Sequence, residues 1–537
     1  MRFALALATL AALAALAAPA PAQEPKGGAF PRRLLFVQVS GYLYLNPLTH
    51  GGPGGPDRTR EAATRLATAL RVPAGKGDDQ LFVLSDALAD SPLPTRDAVA
   101  KAVGGFCDTT RPHDRVVLYL GGHAVEKDGK AYFVPLDGDP DAPATLLPVS
   151  DLYAKLKELR AAQKVVVWDV CRHNPERAFG RREPGPMSEA LFKLLATPPE
   201  GVQVLASCGP KDFALEYSTP RGPAGTFAGS AYLDALRQAA TDTLGKANPA
   251  DAIPADALHA AATKLLAGVS RQKPSLVGAL PKQAAEYDPK AAPAKRFELP
   301  VSPKVPAEVK AIFDELALPP LAEDTGAAPR LAFDATALKA HAPDVAVEDI
   351  LRDGDKYPLR VATLRALQTI RNNWPLGAKE PKAVPPVPAP VTDRAKKLVA
   401  DAQQPLAEAI TKLELELDML LAVANKRAKE TKRWQAHYDL TVAELRLRLV
   451  VLNEFNLALA RVRTETLPEL ADGSPGWRLG PSAKLHSRRE VRDLFTAAQE
   501  GFAQVAADHT GTPWEVLARR SRAQSPGLQW DAQPPAK

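Results

Sequence analysis

Two short apolar runs constrain this chain more than anything else in it: Val116–Leu120 (VVLYL) and Val165–Trp168 (VVVW). Runs of β-branched and aromatic residues without polar alternation fit strands buried on both faces of a sheet. Each run leads to a reactive side chain. His123 follows Gly121-Gly122, and Cys171 follows Asp169-Val170. In an open parallel sheet, residues just past the carboxyl ends of neighbouring strands converge on one crevice. A thiol and an imidazole delivered there side by side are the minimum for a cysteine nucleophile and its proton-transfer partner.

The flanking sequence extends the pattern. RLLFVQVSGYLYL reads as a first strand, EAATRLATALRV as a helix, and DDQLFVLSDALADSPLPTRDAVAKAV as a strand followed by a Thr-initiated helix. VQVLASCGPKDFALEY, GTFAGSAYLDALRQA and QKPSLVG supply a further strand, a loop with its helix, and a last strand. Alternation of this kind implies βαβ units and a mostly parallel sheet.

With GGHAVEKDGKAYFVPLDGD and WDVCR set among these elements, the stretch resembles the caspase-like cysteine peptidases, a family of caspases, metacaspases and bacterial relatives. Cys171 lies 48 positions after His123, similar to the family spacing of roughly 50. The resemblance covers roughly residues 31–285. It implies an α/β fold, a caspase-like three-layer sandwich with a mostly parallel sheet. It also implies Cys171 as nucleophile and His123 as acid and base. Asp169 matches a metacaspase position that helps form an acidic pocket for a basic P1 side chain, and Glu216 resembles an acidic residue of the same pocket. Two positions depart from the family pattern: Ala124 stands where glycine is usual, and Gly121 where serine is usual.

The chemistry follows from the residue types. A thiol near its ordinary pKa of about 8.5 is only a few per cent thiolate at neutral pH, so it needs a neighbouring base. His123 can take that proton, protonate the departing amine and activate the hydrolytic water. The N–H groups of Cys171 and Gly122 are the expected oxyanion donors, each worth about 3–4 kcal/mol in comparable sites. The expected reaction is hydrolysis of a protein or peptide substrate after a basic residue. The alternative is an inactive caspase-like scaffold that assembles partners through its helical half. No cofactor is expected, because no EF-hand-like run of carboxylates occurs. His173 makes a Cys-x-His pair with Cys171, but zinc needs three or four ligands and no second pair follows, so no metal site is assigned.

At 537 residues the chain should hold more than one domain. Its 51 prolines are about twice the average share and mark linkers. A formal charge of +6 without blocks of like charge gives no basis for nucleic-acid binding. Met1–Ala22 reads as a signal peptide ending Ala20-Pro21-Ala22, which implies export to the periplasm or beyond and no stable membrane span after its removal. Three cysteines (Cys107, Cys171 and Cys208) are too few for a disulfide framework, and whether Cys107 and Cys208 pair stays open. His50–Asp57 is a Gly/Pro loop past the first strand.

Pro-rich linkers at 286–305 and 381–391 frame a small helical module at 306–375. Over 395–467 Leu406, Ile410, Leu413, Leu417, Leu420 and Ala424 recur at spacings of four and three, and the phase resumes at Trp434. This is a heptad-type seam, either a self-associating coiled coil or an intramolecular hairpin, with Pro405 expected at the helix start. A helical tail at 485–521 is expected to fray into a Pro-rich end.

Overall fold

The structure, a computed structural model, describes residues 32–48, 55–73, 80–173, 180–182, 185–221, 227–245, 252–282, 297–299, 304–321, 326–376, 385–470 and 472–533. The expected signal at 1–22, and parts of both Pro-rich linkers and of loop 50–57, lie outside them. No described helix is long and apolar enough to cross a membrane.

In chain order the main elements of the α/β part are β1 (Arg32–Gln38), α1 (Gly55–Ala69), β2 (Leu81–Ser85), α2 (Arg96–Asp108), β3 (Arg115–Gly121), β4 (His123–Lys127) and β5 (Lys130–Val134). There follow α3 (Val149–Glu158), β6 (Gln163–Asp169), β7 (Arg172–His173), β8 (Gly180–Arg181) and α4 (Glu189–Leu195). The part closes with β9 (Val202–Ala206), β10 (Ala214–Arg221), α5 (Ala231–Leu244), α6 (Ala255–Ala267) and β11 (Ser275–Gly278). The central sheet has the order β11-β9-β6-β3-β1-β2. Its neighbours are parallel except β11, which runs antiparallel to β9 along one edge.

Strand alternation splits the apolar runs between two cores. Leu34, Phe36, Val117, Tyr119, Val165 and Val167 face α1, α5 and α6. Leu35, Val37, Val116, Leu118, Val166 and Trp168 face α2, α3 and α4. Burying each such side chain contributes about 1.5–3 kcal/mol, which explains why β1, β3 and β6 are buried along their whole length. The result is a three-layer α/β sandwich with a mostly parallel sheet.

The C-terminal half is helical: α7 (Ala307–Glu315), α8 (Ala335–Ala340), α9 (Pro358–Asn373), α10 (Asp393–Ala422) and α11 (Lys432–Arg463), then β12 (Gly476–Ser482), α12 (Arg489–Asp508), α13 (Pro513–Arg522), β13 (Gln524–Ser525) and β14 (Gly527–Ala532). The apolar seam folds back on itself. Gln403 Nε2 donates to Asn456 Oδ1 at 2.8 Å, and Tyr438 OH donates to the Leu420 carbonyl at 3.1 Å, so α10 and α11 are antiparallel. Leu406, Leu413 and Leu420 share one core with Leu445, Leu452 and Leu459. The turn between them is the 3-10 segment Ala424–Lys429.

Two expectations are corrected. Pro405 lies inside α10 rather than at its start, because Thr392 caps the helix by accepting from Ala395 N at 3.2 Å. The proline forfeits one ladder bond, which burial of Val399, Leu406 and Ala409 around it offsets. The tail does not fray directly after residue 521 but stays paired as far as Ala532, and residues 534–537 lie outside the described ones. β14 pairs antiparallel with β12, and Trp530 enters the helical core with its indole N–H donating to the Ala458 carbonyl at 2.9 Å.

A buried histidine knot ties α7, α8, α11, α12 and α13 together. Trp514 Nε1 donates to His437 Nδ1 at 2.8 Å, so His437 Nε2 carries the ring proton toward Glu315 Oε2 at 2.9 Å. His341 Nδ1 meets the Ala337 carbonyl at 2.8 Å and must donate, which makes its Nε2 the acceptor for His509 Nδ1 at 2.9 Å. Burial lowers the pKa of His341 and His437; burial and then His341 take His509 to about 4. Folded values below the ordinary 6.5 mean that these rings bind fewer protons folded than unfolded. Their stabilising contribution is therefore present above about pH 6.5 and lost as pH falls below it, in the case of His509 toward about 4. Urea titrations monitored by tryptophan fluorescence should show falling stability across that window, with a flatter slope in His509→Gln.

Candidate active site

The site begins with sheet register. β3 and β6 are parallel neighbours with Gly121 opposite Asp169. His123 and Cys171, each two residues further on, therefore leave the sheet side by side. Cys171 Sγ lies 3.8 Å from the carbonyl of Ala124, the residue directly after His123.

Both glycines before His123 sit in close approach to neighbouring side chains. A Cβ on Gly121 would sit 2.3 Å from Gln38 Oε1, and one on Gly122 (φ +153°) would sit 2.2 Å from the Tyr42 hydroxyl. That hydroxyl accepts the His123 backbone N–H at 2.7 Å and donates to the Val134 carbonyl at 3.2 Å. The Tyr42 and His123 rings lie 4.8 Å apart at 40°. Tyr42 thus fixes where β4 begins and orients the imidazole. Sequence reading missed it; the signal is the aromatic residue in GYLYL directly after β1.

Cys171 adopts φ +59°, the left-handed region, as a non-glycine residue. This conformation costs about 1–2 kcal/mol, and such strain concentrates at functional positions. The backbone is pinned by Ala214 N donating to the Cys171 carbonyl at 3.1 Å. The thiol is closed off: Cys171 is 1% exposed, and Met187 Sδ lies 4.0 Å from its sulfur. Met187 is held in turn by backbone bonds from Lys211 N to its carbonyl and from its own N–H to the Asp212 carbonyl. Burial pushes the Cys171 thiol up to about 12, against the small opposing effect of the Ala124 bond. His123 is equally buried, at 1% exposure. Cys107, Cys171 and Cys208 are all free thiols.

The Gly122 amide, expected to face an oxyanion, instead donates to the Asp169 carbonyl at 3.0 Å. The sheet ladder continues one residue beyond β3 and uses that donor. The two expected pocket carboxylates are also engaged internally. Asp169 Oδ2 accepts from Tyr119 OH at 2.6 Å, and Glu216 Oε2 lies 3.0 Å from an Arg172 guanidinium nitrogen. Both acids are 0% exposed. Burial opposes the Arg172 charge, but Glu216 and then Asp169 outweigh it and hold the guanidinium protonated. Arg172 was not singled out from the sequence, although it adjoins the cysteine. β7 pairs parallel with β10, which sets Glu216 beside Arg172. His173 stacks on Phe213 with ring centroids 4.7 Å apart.

Residues 61–284 match the family model for the caspase domain. The match spans the α/β part from α1 to just past β11 and stops before the helical half. No curated protein matches the chain. The α/β part is a caspase domain with the fold of a caspase-like cysteine peptidase.

The raised thiol pKa has a measurable consequence. Between about pH 9 and about 12 the unfolded thiol ionises while the folded one keeps its proton, so stability falls as pH rises through that window. The ultraviolet thiolate band of Cys171, taken as wild type minus Cys171→Ala, should be absent from the folded chain at pH 9. Tyr42→Phe should leave the buried His123 amide without its acceptor and cost about 1–3 kcal/mol in urea unfolding.

Proposed function

We propose that this caspase domain is a cysteine endopeptidase that uses Cys171 and His123 as its dyad, and that the closed arrangement is its latent form. The observation that carries the proposal is the paired exit of the two residues from register-matched strands, with Cys171 held at a strained φ of +59°. Packing alone does not require a left-handed cysteine at that strand end.

In the open form, the thiol proton passes to His123 and the sulfur attacks the scissile carbonyl, giving a tetrahedral oxyanion. His123 returns the proton to the departing amine, which leaves a thioester on Cys171. Water, deprotonated by His123, attacks the thioester; collapse releases the acid product and the thiol. The Cys171 amide remains the candidate oxyanion donor, since that of Gly122 is engaged with Asp169.

Charge around the site supports a basic P1 residue. Asp169 and Glu216 against Arg172 leave one formal negative charge, which favours Lys or Arg over Asp or Glu nearby. The second reading, a scaffold without activity, is favoured by the burial of Cys171 and its thiol pKa of about 12.

Incubation with an unbiased peptide library separates the two. The proposal expects cuts after Lys and Arg that fall by about three orders of magnitude or more in Cys171→Ala. Cuts only after Asp would overturn the P1 assignment. Cuts that survive in Cys171→Ala would remove it as nucleophile. No cleavage, under conditions where Cys171 is freely alkylated, would favour the scaffold.

A further inference from the structure

The helical half does more than follow the caspase domain. Its last helix runs directly into a strand laid on the segment between Cys171 and Met187. β13 pairs antiparallel with β8, Gln524 opposite Arg181 and Ser525 opposite Gly180. Arg182 N donates to the Ala523 carbonyl at 3.0 Å and extends the pairing by one residue.

The other side of β8 grips the loop that carries Tyr42. Arg181 N donates to Asn46 Oδ1 at 2.6 Å, and Asn46 N donates to the Arg182 carbonyl at 3.3 Å. The Arg181 guanidinium donates to the carbonyls of Tyr42 and Leu45 at 3.3 and 3.4 Å. Tyr42 in turn holds the His123 amide. β8 therefore lies between the C-terminal strand and the loop that positions the imidazole, and the chain after it leads to the Met187 cap on the sulfur.

Ion pairs anchor the same seam. Arg519 of α13 reaches Asp139 at 3.4 Å, and Arg182 reaches Asp141 at 2.7 Å. Further along, the Arg330 guanidinium donates to the carbonyls of Asp86, Leu88 and Ser91 at 3.1, 3.4 and 3.0 Å. A two-residue ladder with one half-buried and one exposed ion pair is a small interaction. It is small enough to release without unfolding either half.

We infer that β13 is an intramolecular strap: by adding a strand to β8 it holds down the neighbourhood of Met187 and keeps the Cys171 thiol sealed. The inference rests on the proposed role of Cys171 as nucleophile, and it names the control on that site. Releasing β13 frees one edge of β8 and leaves Met187 held by its backbone bonds with Lys211 and Asp212 alone, so that the cap can part from the sulfur, admit water and substrate, and return the thiol toward its ordinary pKa.

The test uses the full chain and iodoacetamide, with the Cys171 peptide followed by mass spectrometry so that Cys107 and Cys208 do not confuse the readout. Ser525→Pro removes a backbone donor from the strap. Asp139→Arg repels Arg519, and Asp139→Arg/Arg519→Glu restores the attraction. Ser525→Pro and Asp139→Arg should each alkylate at Cys171 about tenfold faster than wild type, with unchanged helical circular dichroism, and the charge swap should return the rate to within about twofold.

Hydrogen exchange keeps the result decisive. Amides 180–182 released in Ser525→Pro with no change in Cys171 alkylation would overturn the strap, as would amides that stay protected in that variant. Faster alkylation without any peptide cleavage would leave the strap standing and remove the peptidase reading. Wild type cleaving peptides as fast as Ser525→Pro would do the reverse.

Discussion

The functional reading depends on one constraint, the parallel register that sets Gly121 of β3 opposite Asp169 of β6. That register is enforced from both faces. Val117, Tyr119, Val165 and Val167 fill one core, and Val116, Leu118, Val166 and Trp168 fill the other. A slip by one residue would exchange the two sets and break both cores at once. Because the strands cannot slip, the residues two positions beyond their ends leave from adjacent strand ends. The neighbouring exits of His123 and Cys171 are thus inherited from sheet packing.

The environment of that pair is dry and closed. Low dielectric makes a thiolate costly, and the pKa of about 12 at Cys171 expresses that cost. It would also strengthen any oxyanion contact once a substrate replaced the Met187 cap. Arg172 follows the same logic. Two fully buried carboxylates, Asp169 and Glu216, need compensation, and the chain supplies it from Arg172, the residue after Cys171, helped by Tyr119. Arg172 thus answers both carboxylates within the fold, and one formal negative charge is left over beside Cys171.

The sequence carried the α/β part in detail because long apolar runs and turn glycines are local signals. VVLYL and VVVW gave both central strands, and the Gly-Gly before His123 marked the close approach to Tyr42. What it did not carry is side-chain direction. Nothing local says that Arg172 turns inward to Glu216, or that the Gly122 amide stays in the ladder with Asp169. The helical half shows the same limit. A 4-3 spacing defines a seam but not its partner, and α11 is buried around much of its circumference by α9, α10, α12 and α13. The tail was misjudged because its prolines outweighed the alternation in LQWDA, where Leu528 and Trp530 point into the core.

The claim at the centre of this account is that Cys171 and His123 serve one reacting centre. The most direct test is the rate at which an arginine-ended peptidyl acyloxymethyl ketone forms a covalent adduct, followed by intact mass in wild type and His123→Ala. The account predicts a single adduct on Cys171 in wild type, formed about a hundredfold or more slowly without His123. Equal rates in the two proteins, or an adduct on any other residue, would contradict it.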